Sequence, residues 1–148
     1  MTIKVNYINN KDLKNTKNLA LFSDENLKIF NLKFLGLPNQ NIINELIQNN
    51  NEKKKKILHL NLNKKQNLII IKTNKKHQTN IYNEKLGAKF YDFINSNSIN
   101  NLLFFDQNFL DNSLNKNFID EFFHGIGLKS YQFRKYKSQK ENKEFKIN

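Results

Sequence analysis

Three runs of four apolar residues constrain this chain most: Leu19-Ala-Leu-Phe22, Leu68-Ile-Ile-Ile71 and Leu102-Leu-Phe-Phe105. Each is too short for a helix and lacks the alternation of a half-exposed strand. Each therefore predicts a strand covered on both faces. Two-sided burial demands helices in both flanking layers, and amphipathic stretches lie between the runs. Pro38 to Asn49 predicts a helix, because Pro is tolerated at a first helical position. Its apolar face is Ile42, Ile43, Leu46 and Ile47. Ile81 to Ile94 predicts a second helix, with Leu86, Phe90, Phe93 and Ile94 on one face. A third is predicted from Ser113, whose hydroxyl suits an N-cap. Leu114, Phe118, Phe122 and Ile126 form its stripe, and Ile119 and Phe123 broaden it. Asn115, Lys116, Asp120 and Glu121 fall off the stripe and face water. Gly125 and Gly127 cost this helix stability but permit a neighbouring backbone to come close.

Ile3, Val5 and Tyr7 alternate with polar residues and predict a further strand. Ile57–Leu62 and Asn67–Lys72 flank the turn-sized Asn63–Gln66, so they predict antiparallel neighbours. Phe145-Lys-Ile147 begins one more strand. Polar loops are expected at 11–17, 49–56, 73–79 and 106–112, and an irregular apolar segment at 27–37. Strand–helix–strand–helix–strand in the C-terminal half predicts parallel pairing with right-handed crossovers. The expected fold class is α/β: a three-layer α/β/α sandwich with a mixed, largely parallel sheet. Its 148 residues suit a single domain over 1–148. A chain of this size buries about 68–70% of its unfolded surface.

The run Gly-Ile-Gly-Leu-Lys-Ser-Tyr-Gln-Phe-Arg-Lys-Tyr-Lys-Ser at 125–138 resembles the end of the N-terminal domain of the leucyl aminopeptidase (cytosol aminopeptidase) family. In that family the last long helix of the domain ends in Gly/Ala-x-x-Leu-x-x-Tyr-x-Phe-x-x-Tyr/Leu-Lys-Thr/Ser. Leu128, Tyr131, Phe133, Tyr136, Lys137 and Ser138 hold those places. Leu86-Gly87-Ala88 falls where the family tends to carry Leu-Gly-Gly, and the order of elements is similar over nearly the whole chain. The resemblance implies a macro-domain-like sandwich and a non-catalytic role, packing beside the catalytic domain of the same protein and helping to build a homo-hexamer. It implies an interdomain or interface role for Tyr131, Phe133, Arg134 and Tyr136. The parent protein of such a domain removes N-terminal amino acids from peptides with two divalent metals, Zn or Mn. Their ligands belong to the family's C-terminal domain, around an Asn-Thr-Asp-Ala-Glu-Gly-Arg-Leu signature, and nothing in this sequence resembles it. No catalytic residue, metal ligand or cofactor is therefore expected in this chain, nor aminopeptidase activity. A lone domain would lose most hexamer contacts and is expected to be a monomer or weak oligomer.

The net charge of +12 opens a second reading, a free-standing basic α/β module that binds nucleic acid. Its candidate contacts are Lys53, Lys54, Lys55, Lys56, Arg134, Lys135 and Lys137. Tyr131, Phe133 and Tyr136 interleave with the last three and could stack on bases. The charge is segmental: residues 52–85 carry net +8, residues 129–146 net +5, and residues 86–128 net −3. Against this reading stand 24 Lys with a single Arg, and 29 Asn with one Val and two Ala. That is the imprint of A- and T-rich codons. Selection for phosphate recognition should also enrich Arg, whose planar fork suits it.

Other functions are disfavoured residue by residue. There is no Cys, so no disulfide or thiolate site exists and a reducing compartment is compatible. No 18-residue apolar run predicts a membrane span, and Met1-Thr-Ile-Lys-Val-Asn is too polar for a signal peptide. The cytoplasm is the expected location. His59, His77 and His124 show no i, i+4 ligand spacing, and His59 reads as a packed or edge residue. Asp120 and Glu121 are adjacent on a helix and point apart. Gly125-x-Gly127 fails as a phosphate loop, since Ser130 replaces the third Gly and the pair lies inside a helix. With four Gly in all, the loops that an ADP-ribose site needs are missing.

Overall fold

The computed structural model describes residues 2–5, 16–29, 32, 37–49, 54–74, 79–105, 116–131 and 144–147. In chain order these form β1 (Thr2–Val5), β2 (Asn18–Ser23), α1 (Leu37–Gln48), β3 (Ile57–Asn63), β4 (Gln66–Lys72), α2 (Asn80–Ser96), β5 (Asn101–Phe104), α3 (Phe118–Ser130) and β6 (Glu144–Ile147). The six strands form one sheet in the order β1-β6-β5-β2-β4-β3. All pairings are parallel except β3 with β4. The expected α/β class with a mixed, largely parallel sheet is what forms.

The apolar runs occupy the middle of that sheet. All six residues of β2 are buried, as are Leu68 to Ile71 in β4. Strand alternation divides them between two cores. Leu19, Leu21, Leu68 and Ile70 face a layer containing Ile43 of α1. Ala20, Phe22, Ile69 and Ile71 face the layer built by α2 and α3. A helix on one side and two on the other complete the sandwich. Each fully buried Leu, Ile or Phe stabilises it by roughly 1.5–3 kcal/mol relative to exposure. In the thicker layer Phe22 meets Phe122 and Phe118 edge-on, with ring centroids 5.1 and 5.4 Å apart. Such pairs add about 0.5–1.5 kcal/mol beyond area burial.

Polar side chains lock the strand starts. Buried Asn18 donates from Nδ2 to the carbonyl of Asn101 (2.8 Å) and accepts from Asn67 Nδ2 (3.0 Å). One side chain thereby ties β2 to both of its parallel neighbours. At the other end Thr73 Oγ1 donates to the carbonyl of Ser23 (2.8 Å). β3 lies at the sheet edge with His59, Asn61 and Asn63 exposed and a register shift between Asn61 and Asn63. Polar side chains and a bulge both discourage edge-to-edge pairing.

Three expectations need correction. α3 begins at Phe118 behind Asn117, not at Ser113, which lies outside the described residues with Leu114. Asp120 and Glu121 then fall in the first turn, where carboxylates favour the helix dipole. In α2, Tyr91 is buried while Phe93 is only partly so, because the helix turns its Leu86-Phe90-Ile94 line toward the sheet. In α1 Ile43 alone is fully buried among the described side chains, and Ile42 lies at the exposed boundary of the predicted apolar face. Tyr7, outside the described residues, cannot be placed on β1.

Candidate functional site: a groove between two helices

α2 and α3 lie side by side on one face of the sheet, and glycines set their spacing. A Cβ on Gly87 would collide with the backbone carbonyl of Phe122, and one on Gly125 with that of Glu84. The close approach anticipated for Gly125 is therefore real. At Gly127 a Cβ would meet nothing within 4 Å, so that expectation fails: Gly127 points into open space.

The contact between the helices is polar where it nears the surface. Asn83, fully buried, donates from Nδ2 to Glu121 Oε2 at 2.7 Å. Its Oδ1 has no hydrogen-bond partner among the described residues. Further out, His124 Nδ1 meets Glu84 Oε1 at 2.8 Å, and Lys129 Nζ meets Asp92 Oδ2 at 3.2 Å. Both contacts bridge α2 and α3. They are partly exposed, and pairs of that kind contribute about 0–1 kcal/mol. Deeper in the same layer the Tyr91 phenol is pushed above its ordinary pKa by burial, then by Asp92, with Lys129 opposing.

Above this contact runs an open groove of about 350 Å³, lined by Ile81, Glu84, Lys85, Ala88, Gly125, Leu128 and Lys129. Small residues make its floor and two large aliphatic side chains its walls. Ile81 is 64% exposed and Leu128 58%. Tyr131, 76% exposed, follows Leu128 by three residues at the C-cap of α3, and so lies on the same side of that helix.

A second cluster lies where β3 begins and β4 ends. Lys54, Lys55 and Lys56 are exposed. Lys56 Nζ lies 3.3 Å from the Tyr82 hydroxyl and 5.7 Å from its ring centroid. Lys72 stands beside it, its backbone N–H bonded to the Lys56 carbonyl at 2.9 Å. Burial, then the Lys56 ammonium, hold the Lys72 amine below the usual lysine range, while Asp24 and Glu25 pull it back up.

Among the sequence-derived candidates, Tyr131 is exposed at the C-cap of α3 and Lys54 to Lys56 belong to the second cluster. Lys53, Phe133, Arg134, Lys135, Tyr136 and Lys137 lie outside the described residues. Sequence reasoning missed Ile81, which reads as an ordinary residue of an amphipathic helix, and Lys72, which reads as a strand end. His59 is an exposed edge residue with its ring 5.8 Å from that of Phe93. Among the described residues no three or more His, Asp or Glu side chains gather as a metal site. No described helix is long and apolar enough to cross a membrane.

No family model matches this sequence, and no curated protein does. Among solved structures, a mutant of tomato leucine aminopeptidase is similar over 99% of this chain and 32% of its own, with a TM-score of 0.63 and 12% identity. The two share a fold. The chain thus spans about a third of the length of that aminopeptidase.

Proposed function

We propose that this chain is the non-catalytic N-terminal domain of a two-metal leucyl aminopeptidase, serving domain packing and hexamer assembly. One observation carries the reading: the whole chain superposes on a third of a leucine aminopeptidase. The 125–138 pattern, a property of side chains rather than of topology, points the same way. The partners would be the catalytic domain of the same protein and further subunits, in the cytoplasm. Exposed Tyr131 would join the interdomain contact, together with Phe133, Arg134 and Tyr136. The two divalent metals, Zn or Mn, would be held by the catalytic domain. No step of hydrolysis is assigned to this chain. The test is hydrolysis of leucine amide by the complete gene product, with and without a chelator. Chelator-sensitive release of leucine is expected, and a product with no such activity would overturn the reading.

A second reading, a basic module binding nucleic acid, draws on the cluster of Lys54, Lys55, Lys56 and Lys72. It requires affinity that falls steeply with salt, as counterion release dictates. Absence of binding to duplex and single strands at low salt ends it.

A further inference from the structure

Ile81 and Leu128 are two of only four large apolar side chains that stand exposed among the described residues, and both line the same groove. A scatter of single exposed apolar residues is normal, whereas a concentration in one concave site marks an interaction surface. The groove cannot be filled from within. Its floor at Gly125 is fixed by the Glu84 backbone, and Ala88 offers only a methyl group.

Charge identifies what fits. The one carboxylate that lines the groove, Glu84, already meets His124 Nδ1, and the lining Lys129 meets Asp92 beyond the groove. Lys85 lines the groove, is exposed, and has no ion-pair or hydrogen-bond partner among the described residues. The spare charge beside the apolar walls is therefore the positive charge of Lys85. We propose that the groove docks an acidic amphipathic segment of a partner protein, with an apolar side chain between Ile81 and Leu128 and a carboxylate on Lys85. Laying an apolar helix face into such a groove is a recurrent recognition mode. The inference stands on the groove alone and does not need the aminopeptidase reading.

The test uses two labelled helical peptides of about 14 residues, each with leucines along one face. One carries glutamate at the remaining positions and the other lysine. The acidic peptide should bind and the basic one should not. Leu128→Glu should weaken acidic-peptide binding about tenfold or more, as loss of a central apolar anchor does. Lys85→Glu should weaken it roughly three- to fivefold, the scale of one exposed ion pair, and admit the lysine peptide. Lys64→Glu, in the β3–β4 turn, should leave it unchanged and so control for general charge. All three positions are exposed, and thermal melting of each variant is the check that it folds. No binding of the acidic peptide, equal binding of both, or indifference to Leu128→Glu would overturn the proposal. So would concentration-dependent dimerisation that Leu128→Glu abolishes, since the groove would then belong to a second copy.

Discussion

Gly125 lies so close to the Glu84 carbonyl that a methyl group on it would overlap backbone atoms of α2. Gly87 stands in the same relation to Phe122 on α3, so each helix contributes one glycine to the contact. Backbone cannot step aside as a flexible side chain can. Gly125→Ala and Gly87→Ala should each destabilise the fold by about 1–3 kcal/mol or more, the scale of core overpacking. Gly127→Ala should stabilise it by roughly 0.5–1 kcal/mol, because alanine suits an exposed helix position better. Urea denaturation of the three variants measures this. A stabilising Gly125→Ala would disprove the close contact.

The buried Asn83–Glu121 hydrogen bond makes a sharper electrostatic test. Asn83→Asp would place a carboxylate against Glu121 Oε2, where Nδ2 now donates at 2.7 Å. A loss of about 3 kcal/mol is expected at neutral pH, since a buried donor is exchanged for a like charge. Acidification should return part of that loss, as one of the two carboxyls takes up a proton. Urea denaturation at neutral and mildly acidic pH, beside the parent chain, gives the comparison. A variant equally destabilised at both would show that like-charge repulsion is not the cause.

Much of this was legible in advance. The runs at Leu19–Phe22 and Leu68–Ile71 announced two-sided strands because no other placement hides four consecutive apolar side chains. The α3 stripe at Phe118, Phe122 and Ile126 announced its buried face for the same reason. The start of α3 was misplaced because Ser113 has ideal capping chemistry, whereas the Asn117 side chain makes no capping hydrogen bond. The groove was less visible. Its residues come from two helices about forty positions apart, and only their packing shows that Ile81 and Leu128 share one concavity. Charge counts placed Lys54 to Lys56 in a solvated loop, and could not show that Lys56 settles against Tyr82.

Alkaline pH should expose the buried Tyr91. Its folded-state pKa is raised above the ordinary value of 10.0, chiefly by burial. Below pH 10 the phenol is protonated in both folded and unfolded chains and contributes no pH dependence. Above it the unfolded chain releases the proton first, so stability falls as pH rises. Tyr91→Phe should remove that part of the decline while leaving the neutral-pH region parallel to the parent curve. Urea midpoints between neutral pH and pH 11 would show this, and an unchanged alkaline slope would mean that the phenol is not sequestered.

The proposal that this chain is the accessory third of a peptidase is tested most directly by the reading frame beyond codon 148. The account expects the frame to continue for roughly two more domain-lengths. It expects that continuation to encode a metal-binding domain with the Asn-Thr-Asp-Ala-Glu-Gly-Arg signature. A stop codon directly after Asn148 would contradict the proposal.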